Sequence, residues 1–136
     1  MPPDRPPVPD HRAERIRLKR IYRAARVSDG KRILVDRLWP RGITKERARL
    51  FDWCKDIAPS DALRREYHAN PDAWTDFEYC YRLELDEKSD LVRQITDYTR
   101  DDVVTLIYAA RNEEQNHAIV LCDYLTDWLS KGEDAK

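Results

Sequence analysis

Two short, largely apolar runs constrain this chain most: Ile33-Leu34-Val35 and Val103-Val104-Thr105-Leu106-Ile107-Tyr108. A strand with one wet face alternates apolar and polar residues. A β-branched run without alternation needs cover on both faces. Between the runs the pattern turns helical. Trp74, Phe77, Tyr81 and Leu85 recur at steps of three and four, and Asn70-Pro71 reads as an N-cap with proline at the first helical position. Ser89 reads as the cap of a further helix carrying Leu91, Val92, Ile95 and Tyr98 on one side. A last helix bears the stripe Ala118, Leu121, Cys122, Leu125, Trp128 and Leu129, with Glu113 and Glu114 at its positive end. Buried strands separated by helices imply parallel neighbours joined by crossovers. The sequence therefore predicts an α/β fold, a small sheet with parallel core strands and helices packed on it.

With 136 residues the chain is one domain's worth. The expected organisation is a disordered proline-rich tail over residues 1–13, a single α/β domain over 14–130 and a short polar tail over 131–136. The net charge of -1 gives no overall field that would drive the chain onto nucleic acid or an anionic membrane, so an anion site must be local. Ser28-Asp29-Gly30 is a turn signal, because the Asp-Gly pair supplies a positive φ. Gly30, Gly42 and Gly132 belong to no dinucleotide or phosphate loop, and no cofactor is expected. The spacing of Cys54, Cys80 and Cys122 fits neither a disulfide framework nor a metal motif. They read as reduced thiols, with Cys80 and Cys122 as small hydrophobes and Cys54 the only candidate with a cationic neighbour. No metal site is expected from the scattered His11, His68 and His117. Lacking a membrane-length apolar run or a signal-like start, the chain reads as cytoplasmic.

Ligands of open α/β sheets bind beyond the carboxyl ends of the strands. The first strand runs into Asp36-Arg37-Leu38-Trp39-Pro40-Arg41-Gly42, and Thr44 then caps a helix. The second ends in Tyr108-Ala109-Ala110-Arg111-Asn112 and enters the last helix through Asn116-His117. Arg37 and Arg41 are spaced to reach one phosphate or carboxylate, whose oxygens suit a guanidinium fork. Trp39 offers a flat wall, Gly42 a sharp turn, and Arg111 and Asn116 further polar contacts. His117, in the first turn of a helix whose positive end favours a neutral imidazole, and Tyr108 are the catalytic candidates. On the architectural reading of the same residues, Asp36 and Arg37 form a buried ion pair and Trp39 belongs to the core. The rival functional reading is a regulatory module that contacts nucleic acid or a protein partner through the basic string Arg12, Arg15, Arg17, Lys19, Arg20, Arg23 and Arg26.

The string from Ile33 to Gly42, with Trp53, Lys55-Asp56-Ile57-Ala58-Pro59-Ser60, Leu63-Arg64, the Tyr81 to Leu85 segment, Thr105 to Ala110 and Asn116-His117-Ala118, resembles the YeaO-like family, a branch of the bacterial domain of unknown function 488. The resemblance spans about residues 16–126. It implies a compact α/β fold and no agreed activity. A longer branch of the domain has Cys where Tyr108 stands and Cys-His-Arg where Asn116-His117-Ala118 stands, so thiol chemistry imagined there does not transfer. This chain also departs from its own branch at Glu66-Tyr67-His68-Ala69, where relatives tend to show Trp-Phe-Gly-His.

Overall fold

The computed structural model describes residues 5–134. Strands β1 (Ile16–Arg20), β2 (Lys31–Leu34), β3 (Asp52–Trp53) and β4 (Val104–Tyr108) form one sheet in the order β1-β4-β2-β3. Every pairing is parallel. The α-helices are α1 (Lys45–Ala48), α2 (Asp61–Ala69), α3 (Trp74–Asp86), α4 (Ser89–Asp97) and α5 (His117–Asp134). The α/β fold expected from the two apolar runs is the one observed. Those runs are β2 and β4, the central pair, and all five residues of β4 are buried. No helix among the described residues is long and apolar enough to cross a membrane.

The sheet has a thick side and a thin side. On one face Ile33, Val35, Val104, Leu106 and Tyr108 join Phe77, Tyr81, Leu85, Val92 and Ile95 with the α5 stripe in the main core. On the other face Leu34 and Ile107 meet only Ile21, Ile43 and Ala48, edged by Trp39 and Trp53. Helices α3, α4 and α5 therefore cover one side, while the single turn of α1 and its flanks cover the other.

Local chemistry sets the element ends, in some places as expected. Thr44 caps α1 by accepting the Arg47 N–H at 3.1 Å. Gly30 has φ of +64°, and a Cβ there would lie 2.2 Å from the Val103 carbonyl oxygen, so only glycine fits between β2 and β4. Elsewhere the caps differ. Asn70 ends α2, its N–H reaching the carbonyls of Glu66 and Tyr67, and α3 starts only at Trp74 after a turn closed by Ala73 N–H on Asn70 O. Ser60, which the sequence reading passed over, is the side-chain cap of α2 and is fixed by Glu84, whose carboxylate accepts from its N–H at 2.8 Å and its hydroxyl at 2.6 Å. Ser89 is the first residue of α4 and not its cap. Helix α5 starts after Glu113 and Glu114, with Asn116 accepting the Ile119 N–H at 3.0 Å.

The expected N-terminal tail differs from what is seen over residues 5–13. Arg5 pairs with Asp102 at 2.8 Å, and Arg12 donates to the Thr96 carbonyl at 2.7 Å. Arg15 donates to Thr99 O at 2.6 Å and to Pro9 O at 2.6 Å. Hydrogen bonds from arginine to carbonyls that follow a helix supply here what apolar burial does not. At the other end the α5 backbone continues through 131–134, part of the expected polar tail. Residues 1–4 and 135–136 of the two expected tails lie outside the described residues.

A buried ionic knot holds the thin side. Asp29 receives Lys19 at 2.7 Å, Arg32 at 2.7 Å and the Arg26 N–H at 3.0 Å, while its carbonyl accepts the Thr105 hydroxyl at 2.7 Å. Burial by itself would raise the carboxyl, but hydrogen bonds from Lys19, Arg26 and Arg32 outweigh it and hold Asp29 below the ordinary carboxylate value. A carboxyl depressed on folding stabilises the native state above its unfolded value and loses that contribution as pH falls through the folded one. Urea titrations are expected to show stability falling as pH drops below about 4, where an unfolded Asp takes up its proton. Asp29→Asn should remove that component of the slope and cost about 3–5 kcal/mol at neutral pH by leaving Arg32 without its counter-charge.

Candidate functional site

The backbone leaves β2 toward the thin side, through Trp39, Ile43 and Ala48, and leaves β4 toward the thick side, into α5. Two adjacent strands whose continuations part to opposite faces open a crevice at their carboxyl ends. Asp36 stands in it. Its Oδ2 accepts the Ala109 N–H at 3.0 Å, bridging the end of β2 to the end of β4. Its own carbonyl accepts the Trp53 indole N–H at 2.7 Å, which adds the end of β3. Its Oδ1 lies 3.0 Å from His117 Nε2, and the same nitrogen is 3.2 Å from Val35 O. Both neighbours are acceptors, so Nε2 carries a hydrogen whatever the charge of the ring. That leaves Nδ1 as the imidazole atom without a described hydrogen bond. Oδ1 accepts no well-directed hydrogen bond, so its closeness to the ring is a polar contact only.

The sequence-predicted residues divide between this crevice and its surroundings. His117 is in it, and the edge of its ring lies against Tyr81 at 6.4 Å. Asn116 is buried and spent on its own helix start: it caps α5 and donates to Asn112 O at 2.8 Å. Tyr108 is buried, and burial with the nearby Glu113 pushes its phenol up. Trp39 donates its indole N–H to Ile43 O at 2.7 Å and meets Trp53 edge-on at 5.4 Å, so it builds the thin-side core. Gly42 turns the chain with φ of +74°.

Among the described contacts the two clamp arginines share no partner. Arg37 does not pair with Asp36 either. Its guanidinium donates to Pro59 O at 3.4 Å and lies 4.0 Å from Asp56 and 3.9 Å from Asp61, toward the β3 side of the rim. The backbone of Arg41 lies on the β1 side, its carbonyl accepting the Tyr22 hydroxyl at 3.1 Å. Arg41 and Arg111 are exposed, and no carboxylate among the described residues pairs with either.

The reading from sequence missed Asp36 as an organising group and the share of β1 in this rim. Arg20 donates to Ala110 O at 2.9 Å and covers the Tyr22 ring, and Arg23 pairs with Glu113 at 2.9 Å. A lone carboxylate directly after a buried apolar run was the available signal for Asp36. The cysteines also differ from expectation. Cys54 is the buried one and Cys80 is exposed. Burial and the nearby Asp52 push the Cys54 thiol up to about 11, and burial pushes Cys122 to about 11. Cys54 is thus the reverse of an activated thiol. Among the described residues, no three His, Cys, Asp or Glu side chains are grouped to hold a metal ion.

Fold and crevice together define a small parallel α/β protein whose switch point is bridged by an aspartate-histidine pair. The family described as "Inactive DUF488-N3 subclade" matches residues 15–136, and the chain belongs to it. It is 44% identical over 110 residues to uncharacterized protein YeaO of Escherichia coli (strain K12), covering 81% of this chain and 96% of that protein. It is 40% identical over 114 residues to uncharacterized protein Rv3073c of Mycobacterium tuberculosis (strain ATCC 25618 / H37Rv), covering 84% and 96%. No solved structure matches the chain.

The Asp36 bridge yields a spectroscopic and an energetic expectation. In ¹⁵N NMR the His117 Nε2 should be protonated in the wild type and should stay so in Asp36→Ala, because Val35 O still accepts from it. The same substitution leaves the Ala109 N–H without its acceptor and should cost about 1–3 kcal/mol in urea unfolding. A wild-type ring protonated only on Nδ1 would contradict the geometry.

Proposed function

We propose that this protein binds a small phosphate- or carboxylate-bearing ligand at the rim of the strand carboxyl ends and does not transform it. The supporting observation is the contrast among the rim arginines. Arg20 and Arg23 are held by internal acceptors, whereas Arg41, from the loop after β2, and Arg111, from the loop after β4, stand exposed with no described carboxylate partner. Two guanidiniums from loops on either side of a switch point suit an anion that spans it. Arg37, held by a long hydrogen bond to Pro59 O and long contacts to Asp56 and Asp61, can turn to such a ligand at little cost.

Binding without turnover follows from the groups behind the rim. Asn116 is spent on capping α5 and on Asn112, Tyr108 is buried with its phenol pushed up, His117 directs Nε2 inward, and Cys54 and Cys122 are held as thiols. The description of the family as inactive points the same way. The reading through nucleic acid or a protein partner loses support, because Arg12, Arg15, Lys19, Arg20 and Arg23 of the basic string bind this protein's own carbonyls and carboxylates.

Thermal unfolding in a phosphate series and a panel of phosphorylated and carboxylated metabolites tests this reading. A ligand at a hundred times its Kd adds about 2.7 kcal/mol, which raises Tm by several degrees. The rise should vanish in Arg41→Ala and Arg111→Ala and persist in Arg17→Ala. An equal rise in all four proteins, or none with any compound, overturns it.

A further inference from the structure

A groove of ≈ 430 Å³ lies between α2 and α3, outside the rim. Leu63, Glu66 and Tyr67 of α2 line one wall and Asp76, Phe77 and Cys80 of α3 the other, with Asn70, Asp72 and Ala73 of the connecting turn closing one end, so each helix presents about one turn at spacings of three and four. Its floor is aromatic. Tyr67 stacks on Phe77 at 4.6 Å, and Trp74 stacks on Phe77 at 5.7 Å. Its edges are acidic: Glu66, Asp72 and Asp76 line it, are exposed, and have no cationic partner among the described residues. One turn past Cys80 on α3 stands Leu83, 48% exposed, and one turn past Asp76 stands Tyr79, 66% exposed. Helix α2 contributes one buried residue, Leu63, and Tyr67 is only partly buried against the core, so this hairpin keeps part of its apolar surface exposed.

We propose that this groove is the docking site for a basic amphipathic helix of a partner protein, with its apolar side on Tyr67, Phe77 and Leu83 and its cations on Glu66, Asp72 and Asp76. Paired helices that present such stripes accept a third helix by the same ridge-and-groove packing that builds bundles. The charge decides the class of occupant. A second copy of this chain does not fit, because two-fold pairing of the grooves sets acidic edge against acidic edge. The basic residues Arg64 and Arg65 are on the far side of α2, so their engagement would be head to tail and would not close. A small cation would leave Tyr79 and Leu83 uncovered, whereas a helix covers them. This site does not depend on the anion reading of the rim.

The probe is a fluorescently labelled peptide of about 15 residues, the length at which an isolated helix is marginally stable. It carries Leu at i, i+3, i+4 and i+7 with Lys elsewhere, and its control has Glu in place of Lys. Anisotropy should show binding of the Lys peptide alone. The Asp72→Lys/Asp76→Lys double variant should weaken it at least tenfold, and so should Leu83→Glu, an exposed position whose change leaves the core intact. Circular dichroism should be unchanged in both variants. Equal binding to wild type and both variants, binding of the Glu peptide, displacement by spermidine with no effect of Leu83→Glu, or no binding at all would each overturn the proposal.

Discussion

One carboxylate organises the carboxyl end of this sheet. Asp36 leaves β2, takes the first free N–H beyond β4, and sets its second oxygen against the ring that opens α5. Parallel strands whose connections part to opposite faces have no backbone pairing to hold their ends together. A side chain that reaches across supplies that pairing, and the Trp53 indole extends it to the edge strand through the Asp36 carbonyl. The contact ties the first residue of α5 to the end of β2, just ahead of the long apolar stripe that packs on the main core. The crevice where ligands of such sheets usually enter is thereby bridged from within. What stays open to solvent is the surrounding loop crest, which is where the exposed guanidiniums of Arg41 and Arg111 stand.

The parts of the fold legible in the sequence are those fixed by local covalent or steric demands. Gly30 needs its positive φ and the space beside Val103, and Thr44 offers a hydroxyl where a helix begins. The two apolar runs need cover on both faces whatever surrounds them. The illegible parts depend on which of two equally good local options the tertiary structure selects. Asn70-Pro71 is a good helix start, yet the Asn70 N–H is drawn to the end of α2 and the next helix waits until Trp74. Ser60 gives no local sign of its capping role, because the Glu84 that fixes it comes from a different helix. Strand β1 mixes Ile16 and Leu18 with basic residues and carried no clear period. Pairing with β4 defines it as a strand.

The candidate site shows the same division. Its location at the strand ends and the presence of His117 there could be read from order along the chain. Which neighbour each arginine meets could not, since Arg37 and Arg41 are four residues apart on irregular backbone, yet the Arg37 guanidinium reaches Pro59 while the Arg41 backbone carbonyl takes the Tyr22 hydroxyl. Charged residues make up 38% of the chain, and many of those on β1 and at the N-terminus are spent on nearby carbonyls. Charge density along a sequence is therefore a poor guide to free charge on the surface.

The outer strands of the sheet bear on self-association. β3 has two residues, too few to template a neighbour, and β1 sets Arg17, Lys19 and Arg20 along the opposite border. An incoming strand of another molecule would meet cations at one margin and almost no ladder at the other, which disfavours the edge-to-edge growth that leads open sheets into aggregates.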